Sequence, residues 1–368
     1  MIRSIHIQNF KSLKDISMIS TSLNLLMGLN GMGKSSFIQS LLLLRQNKKS
    51  GLAKFALNGP LTEIGRGRDA LYQDANQEII SFDFDMEIDG NSEAFPCTLA
   101  YQADNNVLDN NREWPIEHLD YYSLFNNNFQ YLEAERTGPQ TDYPMSYADV
   151  VEKHQLGIKG EYAIHYLNTF GTTIKVPKAL CHKGAKSDTL LHQTAAWLGE
   201  ISPDVRFDIQ EIPGTDKVIL NYQFQNKESL SKKFRPKNVG FGISYVLPII
   251  VTLLSFKKDK IVIIENPEAH IHPRGQAEMG RLIALSAASG MQLFVETHSD
   301  HIVNGIRVAV KDGFIESKKV NISYFYRQTT ETEQFCQIQN IQVDKNGELS
   351  DYPTDFMDEW NNQLLRLI

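Results

Sequence analysis

An α/β fold with a mixed sheet, an antiparallel β subdomain and a mainly helical insertion is predicted by three features of the 368-residue sequence. The apolar run Leu23 to Met27 passes through a glycine-rich turn into the helix-like segment Ser36 to Leu44. Two extended runs, Glu78 to Ile88 and Ala94 to Gln102, flank Asp89-Gly90 as in an antiparallel hairpin. Beyond Lys260, strand and helix patterns alternate, which argues for a largely parallel sheet covered by helices.

Taken in order, residues 2–8 alternate apolar and polar and suit a half-exposed strand running into Asn9-Phe10-Lys11-Ser12. Asn58-Gly59-Pro60 breaks the chain after the first long helix. Residues 104–112 read as an Asn/Asp-rich loop, Tyr131 to Pro139 as a segment ending in a turn, and 145–200 as helices mixed with loops. The region 105–235 is therefore expected to be an insertion between an N-terminal lobe, 1–104, and a C-terminal lobe, 236–368. Within it, Val205 to Gln210 and Val218 to Phe224 form a second hairpin, followed by the basic run Lys227 to Lys237. The last lobe reads as strands at Lys260 to Ile264, Gln292 to Val295 and Asn321 to Tyr326, with helices at Arg274 to Ser289 and Asp300 to Val310. Phe356, Trp360, Leu364 and Leu367 fall at helical spacing, a stripe expected to pack on its own domain.

With 42% hydrophobic and 22% charged residues, the chain has material for one large domain or two smaller ones. A net charge of −7 provides no global basic surface, so nucleic-acid contact would need a local patch, such as Lys227 to Lys237, or a partner. Cys97, Cys181 and Cys336 are odd in number and far apart, which reads as free thiols in a reducing cytoplasm. The start, MIRSIHIQNF, is charged and alternating, and no apolar run approaches ~18 residues, so a protein neither secreted nor membrane-spanning is expected.

The chemistry concentrates in a few stretches. Gly28-Leu29-Asn30-Gly31-Met32-Gly33-Lys34-Ser35-Ser36 fits G-x-x-x-x-G-K-[ST] at every fixed position, between a strand and a helix. Its glycines let the backbone N–H groups of Asn30, Gly31, Met32, Gly33, Lys34, Ser35 and Ser36 converge at a helix N-terminus, which favours an anion. Lys34 is expected to project clear of the core onto the β/γ-phosphates of ATP, and the Ser35 hydroxyl to ligate Mg²⁺. The strand Ile261 to Ile264 ends at Glu265-Asn266-Pro267-Glu268, where Glu265 is the first choice for a Mg²⁺-binding acid. The strand Leu293 to Val295 likewise ends in Glu296-Thr297-His298-Ser299, so His298 is expected at a strand tip, where a γ-phosphate is sensed.

Together with Asn9-Phe10-Lys11-Ser12 and the continuation Ala269-His270-Ile271-His272-Pro273, these motifs resemble ABC-type ATPases of the SMC and OLD (overcome lysogenization defect) group, over roughly 1–100 and 235–368. The resemblance implies an ATPase with ATP and Mg²⁺ as cofactors, a homodimer or higher homo-oligomer, and Ser35 and Glu265 as the metal-binding pair. It carries catalytic roles onto Glu265, Asn266, Glu268 and His298. It also puts Val239-Gly240-Phe241-Gly242-Ile243-Ser244 in place of the segment that contacts the γ-phosphate held by a second subunit, through Gly240, Gly242 and Ser244.

The chain departs from the family pattern at Gly240, where Ser is customary, and at Asn266, which puts an amide where the water-activating Glu belongs. By the same comparison neither the long SMC coiled coil nor, after His298, the OLD nuclease domain is expected. Ile341 to Ile368 resembles compact ATPases of bacterial defence operons such as Septu-like systems, in which a separate protein supplies the toxic activity. The resemblance thus implies a slow ATPase that dimerises on ATP and regulates a partner effector, such as a nuclease, in anti-phage defence. Competing readings are a DNA-repair or chromosome-associated ATPase acting through Lys227 to Lys237, a metal nuclease using His270, His272, His298, Asp300 and His301, and a kinase, for which no acceptor base such as H-R-D is apparent.

Overall fold

The computed structural model describes residues 1–226 and 229–367. In chain order its main elements are β1 (Ile2–Phe10), β2 (Leu13–Ile19), β3 (Leu23–Met27), α1 (Lys34–Gln46), β4 (Ile79–Ile88), β5 (Asn91–Ala100) and β6 (Phe129–Leu132). There follow α2 (Ala163–Phe170), α3 (Leu190–Ile201), β7 (Val205–Glu211), β8 (Lys217–Phe224), α4 (Phe241–Leu254), β9 (Ile261–Glu265) and α5 (Pro273–Ala288). The chain closes with β10 (Gln292–Glu296), α6 (Asp300–Lys311), β11 (Val320–Thr329), β12 (Gln334–Ile341) and α7 (Glu359–Leu367). These elements form two compact units, one of Met1–Phe129, Val320–Asp344 and Leu349–Ile368, the other of Gln130–Lys319 and Lys345–Glu348. No helix among the described residues is long and apolar enough to cross a membrane.

In the first unit, β2-β1-β4-β5 form an antiparallel sheet. The hairpin read at Asp89-Gly90 is present, and both residues take left-handed backbone (φ 48° and 83°), as a two-residue turn that matches the strand twist requires. Period-two alternation turns Ile5 and Ile7 of β1 inward, and after a left-handed step at Asn9 (φ 56°) Phe10 is buried too, its ring meeting that of Phe82 edge to face at 5.1 Å. The same unit holds β3 beside β11 in parallel register, Leu23 opposite Val320 and Met27 opposite Tyr324, with β12 antiparallel on the far side of β11. The predicted strand Asn321 to Tyr326 is thus longer than expected and turns back into β12. Its mostly half-buried and exposed residues carry no continuous apolar run to announce a strand.

Where β3 ends, Gly28 adopts φ 132°, and a Cβ built there would lie 2.2 Å from the Phe325 carbonyl oxygen. The backbone of β11 therefore lies against the start of the glycine-rich turn, and only glycine fits. The C-terminal stripe is a correction. Phe356 is buried with its ring 5.5 Å from that of Tyr324, but Trp360, Leu364 and Leu367 are 73%, 43% and 83% exposed. Helical spacing places the last three on one face without saying what lies opposite it, and Phe356 precedes the helix altogether.

In the second unit, β9 and β10 pair in parallel, with β6 as the next neighbour of β9. Both strands are apolar runs rather than alternating ones, as strands buried on two faces require. A three-stranded sheet is formed by β7, β8 and the short strand Tyr143–Pro144. Helix α4 has twelve of its fourteen residues buried, which makes it a core helix accessible only at its first turn. The mixture of parallel and antiparallel pairs with covering helices is the predicted fold class.

Gly28→Ala is expected to lower folding stability by on the order of 3 kcal/mol, combining left-handed strain with a backbone clash. Urea denaturation of the full chain measures this, and an unchanged midpoint would contradict the account of Gly28.

Candidate functional site

The phosphate loop lies wholly in the first unit. Gly28, Gly31 and Gly33 have φ values of 132°, 75° and 99°. Helix α1 starts at Lys34 without a side-chain cap, so its first N–H groups are offered outward, as anion binding needs. Asn30, Gly31 and Ser35 are exposed, while Met32, Gly33 and Ser36 are half-buried. Lys34 corrects the sequence expectation: it is 3% exposed, and its Nζ donates to the carbonyls of Gly28 and Leu29, both at 2.9 Å. The ammonium thus holds its own loop closed across the glycines. Arg327 Nη2 donates to the Gly31 carbonyl at 3.3 Å from outside the loop. Behind Gly33 sits Cys336, whose thiol burial pushes up to about 12, so it is a neutral packing group. Leu29 and Met32 also border a cavity of about 390 Å³ with Tyr326, Arg327 and Asp355, which leaves room beside the loop for more of a phosphate-bearing ligand.

The strand-tip residues lie in the second unit. The register of β9 and β10 sets Glu265 beside Glu296. Glu265 is half-buried, and its Oε1 accepts from Tyr131 Oη at 2.8 Å. Burial pushes the Glu265 carboxyl above its usual range, a shift that the Tyr131 hydrogen bond opposes. Asn266 takes left-handed backbone, φ 46°, and its buried Oδ1 has no hydrogen-bond partner among the described residues. Asn tolerates this conformation better than most side chains. Glu268 accepts from Thr297 Oγ1 at 2.7 Å and from the His298 backbone N–H at 2.8 Å, tying the loop after β9 to the loop after β10. His298 itself is exposed, and the following Ser299 caps α6 by accepting from the N–H groups of His301 and Ile302.

The residue that sequence reasoning missed is Arg136. It is 4% exposed, and its guanidinium donates to the carbonyls of Glu265 (2.5 Å), Asn266 (2.6 Å), Glu133 (3.0 Å) and Tyr245 (3.3 Å). The Tyr245 ring lies 4.5 Å from it, and the Tyr245 hydroxyl donates to the Ala134 carbonyl. One buried cation thus joins the segment after β6, helix α4 and the tip of β9. The available signal was an Arg in a turn between apolar stretches, which does not separate a clamp from a surface residue.

The three signature-like residues are placed differently. Gly240 is exposed, with open space where a Cβ would go. Gly242 packs against the His270 carbonyl oxygen, which a Cβ would approach to 2.1 Å. Ser244 is 4% exposed and shares a 3.3 Å hydrogen bond with Tyr222. Of the nuclease candidates, His270 is ringed by Phe241 and Tyr245 at 4.7 and 4.9 Å, and His272 caps α5 by accepting from the Arg274 N–H. Lys227, at the start of the basic run, lies outside the described residues. Lys233 is ion-paired with Asp208 at 2.7 Å, and Lys232 stands over the Phe234 ring.

A pH dependence follows from Glu265. Its folded pKa lies above the unfolded value, so this group imposes no cost below the ordinary carboxylate range and an increasing one as pH rises through and beyond it. Glu265→Gln should therefore make the ligand-free protein more stable than wild type at pH 7.5, with the difference fading by about pH 4, where the carboxylate reference is protonated. Denaturant titrations at the two pH values check both the sign and the fading.

A family model described as AAA domain, putative AbiEii toxin, Type IV TA system matches residues 23–304, and one for a protein of unknown function, DUF3696, matches residues 315–367. No curated protein matches the chain in sequence. Among solved structures, the SMC head bound to the C-winged helix domain of ScpA aligns over 93% of this chain and 98% of its own, with a TM-score of 0.59 and 13% identity. The Smc head domain with an extended coiled coil, bound to the C-terminal domain of ScpA derived from Pyrococcus furiosus, aligns over 100% and 98%, with a TM-score of 0.56 and 12% identity. At such identities the shared property is the fold, the mixed α/β fold of an SMC head. The first family model spans well over half of the chain, and the chain accordingly belongs to that family of phosphate-loop AAA ATPases.

Proposed function

We propose that the protein is a cytoplasmic ATP- and Mg²⁺-dependent switch that pairs with a second copy on ATP, hydrolyses it slowly, and controls a separate effector protein, a nuclease by kind, in defence against phage. The observation that carries this reading is the phosphate loop, with three glycines in left-handed backbone at the uncapped start of α1 and Ser35 exposed beside them. The backbone from Asn30 to Ser36 would bind phosphate oxygens, and Lys34 would exchange its two loop carbonyls for them, since charged acceptors make the stronger hydrogen bonds. Ser35 in the first unit and Glu265 in the second each carry an oxygen of the hard kind that Mg²⁺ takes, and a cation at Glu265 would relieve the unfavourable burial of its carboxylate. Bound Mg²⁺ would offset charge on the phosphates.

Slow hydrolysis follows from the proposed site's own groups. Asn266 can orient water but has no basicity near pH 7. Glu268 is engaged with Thr297 and the His298 N–H, which draws its carboxylate away from a base's task. His298, exposed at its strand tip, would sense the γ-phosphate. Gly240 would meet the second copy's nucleotide through its open backbone, while Gly242 and Ser244 shape the start of α4 from within. The AbiEii description of the family supports the defence role, and the SMC head bound to a ScpA domain is an example of this fold carrying a partner. With Lys233 already paired to Asp208, the basic run is given no nucleic-acid role in this reading.

Lys34→Ala should weaken ATP binding at least about a hundredfold in calorimetry, and also cost roughly 1–2 kcal/mol of stability through the two lost loop hydrogen bonds. Asn266→Asp introduces a carboxylate in a side chain that tolerates left-handed backbone, and steady-state turnover should rise at least about tenfold. A fast wild-type rate that ignores Asn266→Asp but vanishes in Glu268→Gln would replace the slow-switch reading. Pairing is tested by mass measurement with and without ATP on wild type and Gly240→Asp, a substitution that meets open space rather than backbone.

A further inference from the structure

The second unit carries a cavity of about 230 Å³ between α3 and β7 whose lining no nucleotide motif includes. Lys186, His192 and Arg206 border it, over a floor to which Leu191, Ala195 and Phe207 contribute. No carboxylate is among the lining residues described. Arg206 is half-buried, and its guanidinium donates to the backbone carbonyl of Val205 at 2.8 Å rather than to an acid. Three acids close in sequence are already engaged: Asp188 with Lys175 at 2.6 Å, Asp208 with Lys233 at 2.7 Å, and Glu200 with His182 at 2.8 Å. His192 Nδ1 lies 2.7 Å from Thr189 Oγ1 and 3.0 Å from Ser187 Oγ, which leaves Nε2 as the nitrogen available to a ligand. On a chain of net charge −7, cations gathered at a concavity without carboxylates mark a place built for an anion.

We infer that this cavity is a second binding site, for a nucleotide bearing a single phosphate, with the phosphate on Lys186, His192 and Arg206 and the ring on the apolar floor. An ammonium and a guanidinium donate charge-assisted hydrogen bonds to phosphate, and the imidazole adds a third nitrogen. The volume is below the roughly 300–1,000 Å³ that encloses a drug-sized ligand, so the site takes one ring and one phosphate and leaves the remainder outside. A free nucleoside monophosphate and the 5′-phosphorylated end of a single strand both present this chemistry.

The test is calorimetric titration of full-length Lys34→Ala protein, in which the phosphate loop is disabled, with AMP, inorganic phosphate, and one short single strand in 5′-phosphorylated and 5′-hydroxyl forms. AMP or the phosphorylated strand should bind at least about tenfold more tightly than phosphate and than the hydroxyl strand, with affinity falling as salt rises. Lys186→Ser with Arg206→Ser should lower that affinity at least about tenfold, with an unchanged circular dichroism spectrum. A preference for AMP identifies a free nucleotide as the source, and a preference for the phosphorylated strand identifies a nucleic-acid end. Equal binding of phosphate and AMP together with equal binding of both strands, or binding of no probe, overturns the inference. The same double variant on an otherwise wild-type chain should bind ATP unchanged, so failure here is distinguishable from failure of the ATPase reading.

Discussion

One buried guanidinium holds the second unit's strand tip at Glu265 and Asn266 in place. Arg136 donates to carbonyls from three separate segments, and no carboxylate shares its hydrogen bonds. Its charge is met instead by backbone dipoles and by the face of Tyr245. Burial pushes its pKa down, yet a guanidinium starts so high that it stays charged where a lysine would risk neutralisation. The planar fork also explains the residue type, because adjacent carbonyls at Glu265 and Asn266 need two donors held side by side. With those carbonyls pinned, the chain can make the left-handed step at Asn266 and present Glu268 to the loop after β10.

The phosphate loop uses the same device for a different end. Lys34 also places a cation on backbone carbonyls, among them two of its own loop. A charged phosphate outcompetes neutral carbonyls for an ammonium, so these two loop contacts are exchangeable. Arg136 has four acceptors across three segments, and removing it would orphan several buried carbonyls at once. One cation is thus placed to respond to ligand, and the other keeps a frame around the acid at Glu265.

Close approach accounts for glycines that a motif reading assigns to ligand. Gly28 is required by the backbone of β11, and Gly242 by the carbonyl of His270. Neither demand excludes a ligand at the same N–H groups, but each makes the glycine necessary before any ligand arrives. Gly240 differs, since nothing crowds it, and so the ligand-facing role proposed for that segment falls to Gly240.

Local pattern determined much of this protein. The glycine-rich turn, the unbroken apolar runs of β9 and β10, and the Asp89-Gly90 hairpin were legible because each is set by residues adjacent in sequence and by the geometry of strand and turn. Only the tertiary structure decided what depends on which distant segments meet. Arg136 is separated by 129 residues from the Glu265 carbonyl it holds. The exposure of Trp360 and the inward turn of Ser244 likewise depend on what packs opposite them. Periodicity reports the direction of a side chain along its own element, whereas burial and hydrogen-bond partners are properties of the neighbour, which local sequence does not encode.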